Sequence, residues 1–309
     1  LPGDGARALS ERAGGRRRRG VMLLLAEAPP VAPEAVMART GGENFPVASR
    51  VLPRAWRERL LALYGFARLA DELGDADDRS PTDRLAALDW LEQELDRAYA
   101  GRASHPLLAA LTPVLRACEL PRGPFVALIE ANRVDQRVAR YETWEQLLGY
   151  CELSANPVGE LVLGVFGKAT PERLVLSAKI CTALQLAEHW QDVAEDFARG
   201  RVYLPAEDLT RFGCGEEELR RMGGRAGWPL RGLLAFEVAR TRELLAQGFG
   251  LIDTLRGRER LAVAAFAGGA VAALQAIEQA GYDVLAGPPR ASEARRLAAT
   301  ARLLAGRRR

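Results

Sequence analysis

Two pairs of aspartates carry the chemistry that this sequence suggests. Asp192 and Asp196, in the segment QLAEHWQDVAEDFARGRVYLP, are four residues apart. In a helix their carboxylates therefore stand one turn from each other on one face. Gln185, Glu188 and His189 fall on that face one and two turns earlier. Such a face can bind a hard divalent cation, and Mg²⁺ held in this way commonly bridges to substrate phosphates. A diphosphate is the first ligand to consider.

A second acidic face lies upstream and strengthens this interpretation. A single pair at this spacing is a weak signal, because a chain with 40 Asp plus Glu residues shows it by chance. Asp71 and Asp75, in LYGFARLADELGD, again stand one turn apart, with Tyr64 and Arg68 on the same face. Two such faces opposite each other across a cavity would hold a cluster of Mg²⁺ ions with a diphosphate between them.

The composition predicts an all-α protein. Of the 309 residues, 48% are hydrophobic, which is enough to bury a full core. Ala, Leu, Arg and Glu dominate and β-branched runs are rare, a composition typical of helices. We predict a disordered Gly-, Arg- and Pro-rich segment over residues 1–33. A single helical domain follows over residues 34–290, and a basic helix or tail over residues 291–309.

Charge and motif patterns exclude several classes of function. The net charge of +3 is concentrated in two basic runs, Arg16–Arg19 and Arg307–Arg309. Each run is either an anchor for anionic lipid or nucleic acid, or a solubilising end, and we favour the second. No zinc-finger spacing, RNP-like motif or long basic stripe supports nucleic-acid binding. The sequence also has no Rossmann fingerprint, P-loop or nucleophile elbow.

The cysteines and the last apolar segment indicate the cellular compartment of the protein and its relation to the membrane. Cys118, Cys151, Cys181 and Cys214 are far apart and form no CxxC, so they indicate reduced thiols in a cytoplasmic protein. The segment LAVAAFAGGAVAALQAI, residues 261–277, is slightly short for a membrane span and rich in Ala and Gly. We predict a buried helix there. Peripheral contact with the inner face of the membrane stays an alternative.

A third segment, YCELSANPVG, combines Tyr150 with Pro157. A proline inside a helical pattern kinks the helix and frees a carbonyl. A kink beside a cavity would suit a site that holds a reacting carbocation near backbone dipoles. An ordinary kink in a core helix is the equal alternative.

Taken in chain order, the segments LYGFARLADELGD, YCELSANPVG and QLAEHWQDVAEDFARGRVYLP resemble three motifs of the squalene/phytoene synthase family, and the resemblance covers roughly residues 40–290. The resemblance implies an isoprenoid-synthase-type helical bundle around a central apolar cavity. ENFPVAS, the Asn-Pro of SANPVG and HWQDV are similar to the branch that acts on presqualene diphosphate. That branch would use Mg²⁺ to ionise presqualene diphosphate and capture the rearranged cation with water, giving hydroxysqualene.

The resemblance also implies residue roles. Four carboxylates would hold the Mg²⁺ cluster that neutralises the leaving diphosphate: Asp71, Asp75, Asp192 and Asp196. Two guanidinium groups would contact the phosphates: Arg68 and Arg201. Three tyrosines would act as catalytic residues lining the site: Tyr64, Tyr150 and Tyr203. Tyr150 would steady the cation through its ring face and orient water or a proton through its hydroxyl.

Three further positions have no fixed role. Glu188 stands where the family usually has Asn, and it is either a further metal ligand or a mark of altered activity. Gln185 shares its face. His189 is either functional or a packing residue at the cavity rim.

Two other functions fit the same sequence. A transferase that condenses two farnesyl or geranylgeranyl diphosphates head to head would use the same aspartates. A non-catalytic helical partner of a related synthase is the alternative of another class. Association with neighbouring enzymes of squalene and hopanoid biosynthesis fits all three hypotheses.

Overall fold

The computed structural model describes residues 52–76, 78–220 and 224–306. The predicted disordered segment, ENFPVAS and both basic runs lie outside these residues. Within them the chain forms helices, and an isolated parallel bridge between Arg140 and Val202 is the one β-type pairing. The predicted all-α class is confirmed.

In chain order, the helices of the described residues are α1 (Arg54–Gly74), α2 (Pro81–Tyr99), α3 (Pro106–Ala117), α4 (Gly123–Val134), α5 (Trp144–Ser154), α6 (Asn156–Val165), α7 (Pro171–Gln191), α8 (Val193–Ala198), α9 (Ala206–Arg211), α10 (Glu216–Leu219), α11 (Trp228–Gly248), α12 (Gly250–Thr254), α13 (Gly257–Gln279) and α14 (Glu293–Ala305).

Local sequence explains where the longer helices begin. Ser80 caps α2, since its hydroxyl accepts a hydrogen bond from the backbone N–H of Asp83 at 3.2 Å. Thr170 caps α7 through the N–H of Arg173 in the same way. Both helices have proline in their first turn, where the missing N–H costs nothing.

The helices pack in two groups that meet along a cavity. In the first group α1 packs against α2, α3, α4 and α6, and the rings of Phe66 and Phe125 meet edge to face at 5.0 Å. In the second, α7 packs against α5, α6, α11 and α13. The fully buried Trp190 of α7 donates a hydrogen bond to Thr241 of α11 at 2.9 Å. Because α6 contacts both α1 and α7, it joins the two groups.

Two interruptions shape the helices around this cavity. The sequence predicts one helix over residues 171–199, but the structure ends α7 at Gln191 and starts α8 at Val193. Asp192 lies between them with φ −100° and ψ 16°. The second interruption separates α5 from α6 at Ala155, two residues before Pro157. The proline therefore breaks the helix in the segment where the sequence predicts a kink.

The C-terminal helices cover one side of the second group. Among the described helices, α13 alone is long and apolar enough to cross a membrane, and 72% of its apolar window is buried. Helix α14 packs on α13 where Gly268 faces Thr300. The chain thus forms a helix within residues 291–309. The predicted domain boundaries themselves stay a prediction.

Candidate active site

The two aspartate motifs meet through an ion pair. Arg201, which follows the second motif, lies 2.9 Å from the carboxylate of Asp75 in the first. Asp75 caps the end of α1, and its backbone N–H still bonds to the Asp71 carbonyl, which keeps the two aspartates one turn apart. Asp192 and Asp196 are related in the same way, because the Asp196 N–H bonds to the Asp192 carbonyl at 2.8 Å. Both pairs thus keep helical spacing despite the interruption at Asp192.

Backbone pairing between two loops brings the second motif to this place. The Val202 N–H donates to the Ala139 carbonyl at 2.9 Å, and the Ala206 N–H donates to the Tyr141 carbonyl at 2.9 Å. These bonds hold the segment after α8 alongside the segment after α4. Arg201 and Tyr203 therefore face residues at the end of α4.

The space between the motifs has a polar and an apolar compartment. The polar compartment has a volume of about 400 Å³ and is lined by every predicted site residue except Tyr64. The apolar compartment has a volume of about 230 Å³ and is lined by Tyr64 and aliphatic side chains of α1, α4, α6 and α7. Six residues line both compartments: Arg68, Asp71, Leu128, Ser154, Gln185 and Glu188.

Polar contacts orient the first motif. Arg68 bonds to Glu72 at 3.0 Å and lies 3.8 Å from Asp71. The amide of Asn132 on α4 donates to the other Asp71 oxygen at 3.3 Å. The carboxylate of Asp71 is thus held between α1 and α4. Gln185 and His189 on α7 contact each other at 3.3 Å.

A cluster of three aromatic side chains, Tyr150, His189 and Tyr203, lines the polar compartment. The rings of His189 and Tyr203 stack with centroids 3.7 Å apart, and Tyr150 lies 5.6 Å from Tyr203. The Tyr150 hydroxyl donates to Asp135 at 2.9 Å, and the Tyr203 hydroxyl donates to the other oxygen of that carboxylate at 3.4 Å. Burial raises the pKa of Tyr150 well above its ordinary value, so its hydroxyl keeps its proton.

Two partly or largely buried carboxyl groups of the polar compartment have raised pKa values. Burial, followed by the neighbouring carboxylates of Glu195 and Asp196, raises the pKa of Asp192 to about 6. Burial likewise raises the pKa of Asp135 to about 6, against the opposing effect of Arg201. Arg290 also lines the compartment, and its positive charge lowers the pKa of Asp192, against these effects.

Comparison with known proteins identifies the family. The model of the squalene/phytoene synthase family matches residues 38–300. The chain belongs to the squalene/phytoene synthase family. A hydroxysqualene synthase of Zymomonas mobilis subsp. mobilis is 35% identical over 209 residues, 67% of this chain and 69% of its own length. Two other hydroxysqualene synthases match over 60% of their own lengths.

Other members of the squalene/phytoene synthase family are similar over longer stretches. A phytoene synthase of Mycobacterium tuberculosis is 30% identical over 237 residues, 75% of this chain and 76% of its own length. The crystal structure of squalene synthase HpnC from Alicyclobacillus acidocaldarius matches with a TM-score of 0.73 and 41% identity. That match covers 83% of this chain and 95% of HpnC. These relatives confirm the predicted isoprenoid-synthase-type fold, and they are enzymes of isoprenoid biosynthesis.

The squalene/phytoene synthase motifs do not by themselves reveal several residues of the site. Asp135, Asn132 and Tyr141 lie outside the three motifs and were not predicted from the sequence. Asp135 follows α4 directly, and its position as a lone acid beside two tyrosines depends on the loop pairing between Ala139 and Val202. Ser154 falls inside the third motif, four residues after Tyr150, and this spacing is the one signal that could have selected it.

The described part of this squalene/phytoene synthase fold contains no preformed metal cage. Among these residues, no three His, Cys, Asp or Glu side chains converge as ligands of one ion. The carboxylates instead line the compartment from opposite sides, with Asp75 paired to Arg201. This donor set suits hard cations that also take oxygens from a second ligand.

Proposed function

We propose that the protein converts presqualene diphosphate and water to hydroxysqualene and diphosphate, with Mg²⁺ as cofactor. One observation carries the proposal: two acidic helix faces line one polar compartment, which adjoins an apolar compartment through shared residues. The polar part suits a diphosphate and the apolar part suits a prenyl chain. The hydroxysqualene synthase that is 35% identical supports this choice within the family.

The carboxylates of the polar compartment fit a divalent cation. Asp71, Asp75, Asp192 and Asp196 would hold Mg²⁺ from the two sides of the compartment. The raised pKa of Asp192 supports this assignment, because burial and then the neighbouring carboxylates disfavour its ionisation, and a bound cation would offset both effects. When bound, Mg²⁺ would neutralise the charge that develops on the diphosphate as its bond to carbon breaks.

Two arginines would complete the diphosphate site. Arg68 and Arg201 have side chains that are 21% and 17% exposed, so each presents a partly desolvated charge to the compartment. A guanidinium group matches the geometry of phosphate oxygens. Both now contact carboxylates, and a diphosphate would compete for these contacts.

The apolar compartment would keep water from the prenyl chain. Its walls include Leu63, Leu128, Val158 and Leu161. A carbocation in a dry pocket survives long enough to rearrange, because no water is present to quench it early. The ring of Tyr150, which lines the polar compartment, would stabilise the positive charge.

A condensing prenyl transferase is the second candidate, and one comparison favours it. The phytoene synthase of Mycobacterium tuberculosis matches 75% of this chain, more than the Zymomonas relative does. Such an enzyme would join two prenyl diphosphates at the same polar compartment. A non-catalytic partner of a related synthase is a third candidate, against which the acidic faces lining one compartment argue.

The substrate decides among these functions. Purified protein with Mg²⁺ and no nicotinamide cofactor is given presqualene diphosphate or farnesyl diphosphate, and products are identified by mass spectrometry. We expect hydroxysqualene from the first substrate and no product from the second. Presqualene diphosphate formed from farnesyl diphosphate would instead establish a condensing transferase. A lack of product from both would favour the non-catalytic partner.

The cellular setting follows from the same proposal. Presqualene diphosphate would come from an upstream condensing enzyme, and hydroxysqualene would pass to a later enzyme of squalene and hopanoid biosynthesis. We propose a cytoplasmic location, with peripheral membrane contact as an extension, because both substrate and product carry long apolar chains.

A further inference from the structure

Ser154 occupies the boundary between the two compartments. It is the last residue of α5, and it lines both the polar and the apolar compartment. Of the six residues shared by the compartments, it is the one with a hydroxyl group. Arg68, Asp71 and Glu188 are charged, Gln185 contacts His189, and Leu128 is apolar.

The hydroxyl of Ser154 lacks a protein partner where one is expected. Its Oγ is buried and has no hydrogen-bond partner among the described residues. Leaving a buried hydroxyl unpaired is unfavourable, so such groups usually bond to protein or to an ordered water. A polar group beside an apolar cavity therefore points to a small polar guest, and water is the smallest.

We propose that Ser154 is a positioning residue that holds the water which captures the carbocation. This inference rests on the proposed conversion of presqualene diphosphate to hydroxysqualene. A water bonded to Ser154 lies at the inner edge of the polar compartment. It is then separated from the bulk solvent but close to the apolar compartment that holds the prenyl chain. Water then reaches the prenyl chain at one point only, and the rest of the prenyl chain stays away from water.

Atoms and charges balance in this step. The diphosphate leaves with the electron pair of its bond to carbon, and the cation rearranges. A lone pair of the held water then forms the new carbon–oxygen bond, and the resulting oxonium loses a proton. Tyr150, one helical turn before Ser154, accepts that proton as its own hydroxyl proton moves to Asp135, its partner at 2.9 Å. The products are hydroxysqualene, diphosphate and a proton.

The test measures how the cation is consumed, separately from how fast it forms. Presqualene diphosphate and Mg²⁺ are given to the wild-type protein, to Ser154→Ala and to Ser154→Thr. Diphosphate release and the share of alcohol among the C30 products are measured for each. We expect Ser154→Ala to release diphosphate within about threefold of the wild-type rate, while its alcohol share falls about tenfold or more in favour of hydrocarbon. Ser154→Thr keeps the hydroxyl, so it should retain most of the alcohol.

Ser177→Ala is the matched control. Ser177 is a buried serine on the neighbouring α7 that lines neither compartment, so its loss should leave the alcohol share unchanged. An unchanged alcohol share in Ser154→Ala overturns the assignment, whether or not the overall rate falls. If the wild-type protein forms no alcohol from presqualene diphosphate, the proposed function itself fails, and that result is visible without any variant.

Discussion

Asp192 is the residue on which the proposed metal site depends most. It lies at the interruption between α7 and α8, and its carboxylate faces the polar compartment. Its surroundings disfavour a negative charge, because burial and the adjacent carboxylates raise its pKa to about 6. A divalent cation bound there would relieve this repulsion, and this is why we propose Asp192 as a metal ligand.

Replacing Asp192 by Asn should abolish most activity while the fold persists. The amide keeps the shape of the side chain but removes the charge that a cation needs, so kcat/KM should fall about 100-fold or more. Steady-state diphosphate release measures this. Glu195→Gln is the control, since Glu195 is exposed on the adjacent short helix α8 and does not line the compartment. Equal losses in both variants would show that only the general negative charge matters.

At the residue scale the sequence predicted the helical spacing of the acidic pairs but not the residues that surround them. Asp71 and Asp75, like Asp192 and Asp196, are recognisable because regular helix spacing puts them on one face. Asp135 has no such partner in sequence. Its two tyrosine contacts join residues that are 15 and 68 positions away, and only the folded chain brings them together.

At the scale of secondary-structure elements, α6 and α7 both line the apolar compartment, and they are in close contact with each other. Gly159 of α6 lies against α7 so closely that an added Cβ would overlap Ser177 and lie 2.6 Å from the sulfur of Cys181. The glycine thus allows two helices to approach closely. Asn156 strengthens the same contact, because its side-chain oxygen accepts a hydrogen bond from Thr182 at 2.9 Å.

Gly159→Ala should therefore destabilise the protein. Overpacking a tight contact typically costs about 1–3 kcal/mol, here by pushing α6 from α7. Urea unfolding measures the change. Gly149→Ala is the matched control, because nothing lies within 4 Å of its added Cβ on the exposed face of α5. That change should stabilise by about 0.5–1 kcal/mol, since glycine is a poor helix former. A stable Gly159→Ala protein would mean that the two helices are not closely packed there.

Helix interruptions show what sequence patterns can and cannot predict about elements. Pro157 is visible in the sequence, and the break at Ala155 follows from its missing N–H. The interruption at Asp192 carries no Gly or Pro, and the helical hydrogen bonds continue through it. Periodicity alone therefore predicted a continuous helix.

For the whole molecule, the buried carboxyls make stability depend on pH. Asp135 and Asp192 have pKa values raised to about 6, and Glu237 has one raised to about 7 by burial between α9 and α11. A raised carboxyl pKa means that the folded protein binds the proton more tightly than the unfolded chain. This contribution to stability is fully present below about pH 4 and is lost as the pH rises through 6 to 7.

Mg²⁺ binding should restore part of the stability that the protein loses as the pH rises. Binding needs ionised carboxylates, so Mg²⁺ together with diphosphate should raise Tm more at pH 7 than at pH 5. A protein of this size gains about 2–4 °C for each kcal/mol of binding free energy. Thermal unfolding at the two pH values measures the difference. Asp192→Asn should show little Mg²⁺ effect at either pH, and an undiminished effect in that variant would place the metal elsewhere.

At the scale of the whole molecule the fold class followed from composition, because Ala-, Leu-, Arg- and Glu-rich segments favour helices. The pairing of helices did not follow. The helices that enclose the cavity are determined by contacts such as those of α6 with both α1 and α7. Helices α6 and α1 are about 100 residues apart in the sequence. The adjoining polar and apolar compartments are a consequence of that pairing.

The most direct test of the central claim is a turnover of presqualene diphosphate and Mg²⁺ in ¹⁸O-labelled water. If the diphosphate leaves carbon and water captures the cation, hydroxysqualene should carry one ¹⁸O atom and the released diphosphate none. Label in the diphosphate with an unlabelled alcohol would show attack at phosphorus. That result would contradict an ionising site built from the two acidic faces.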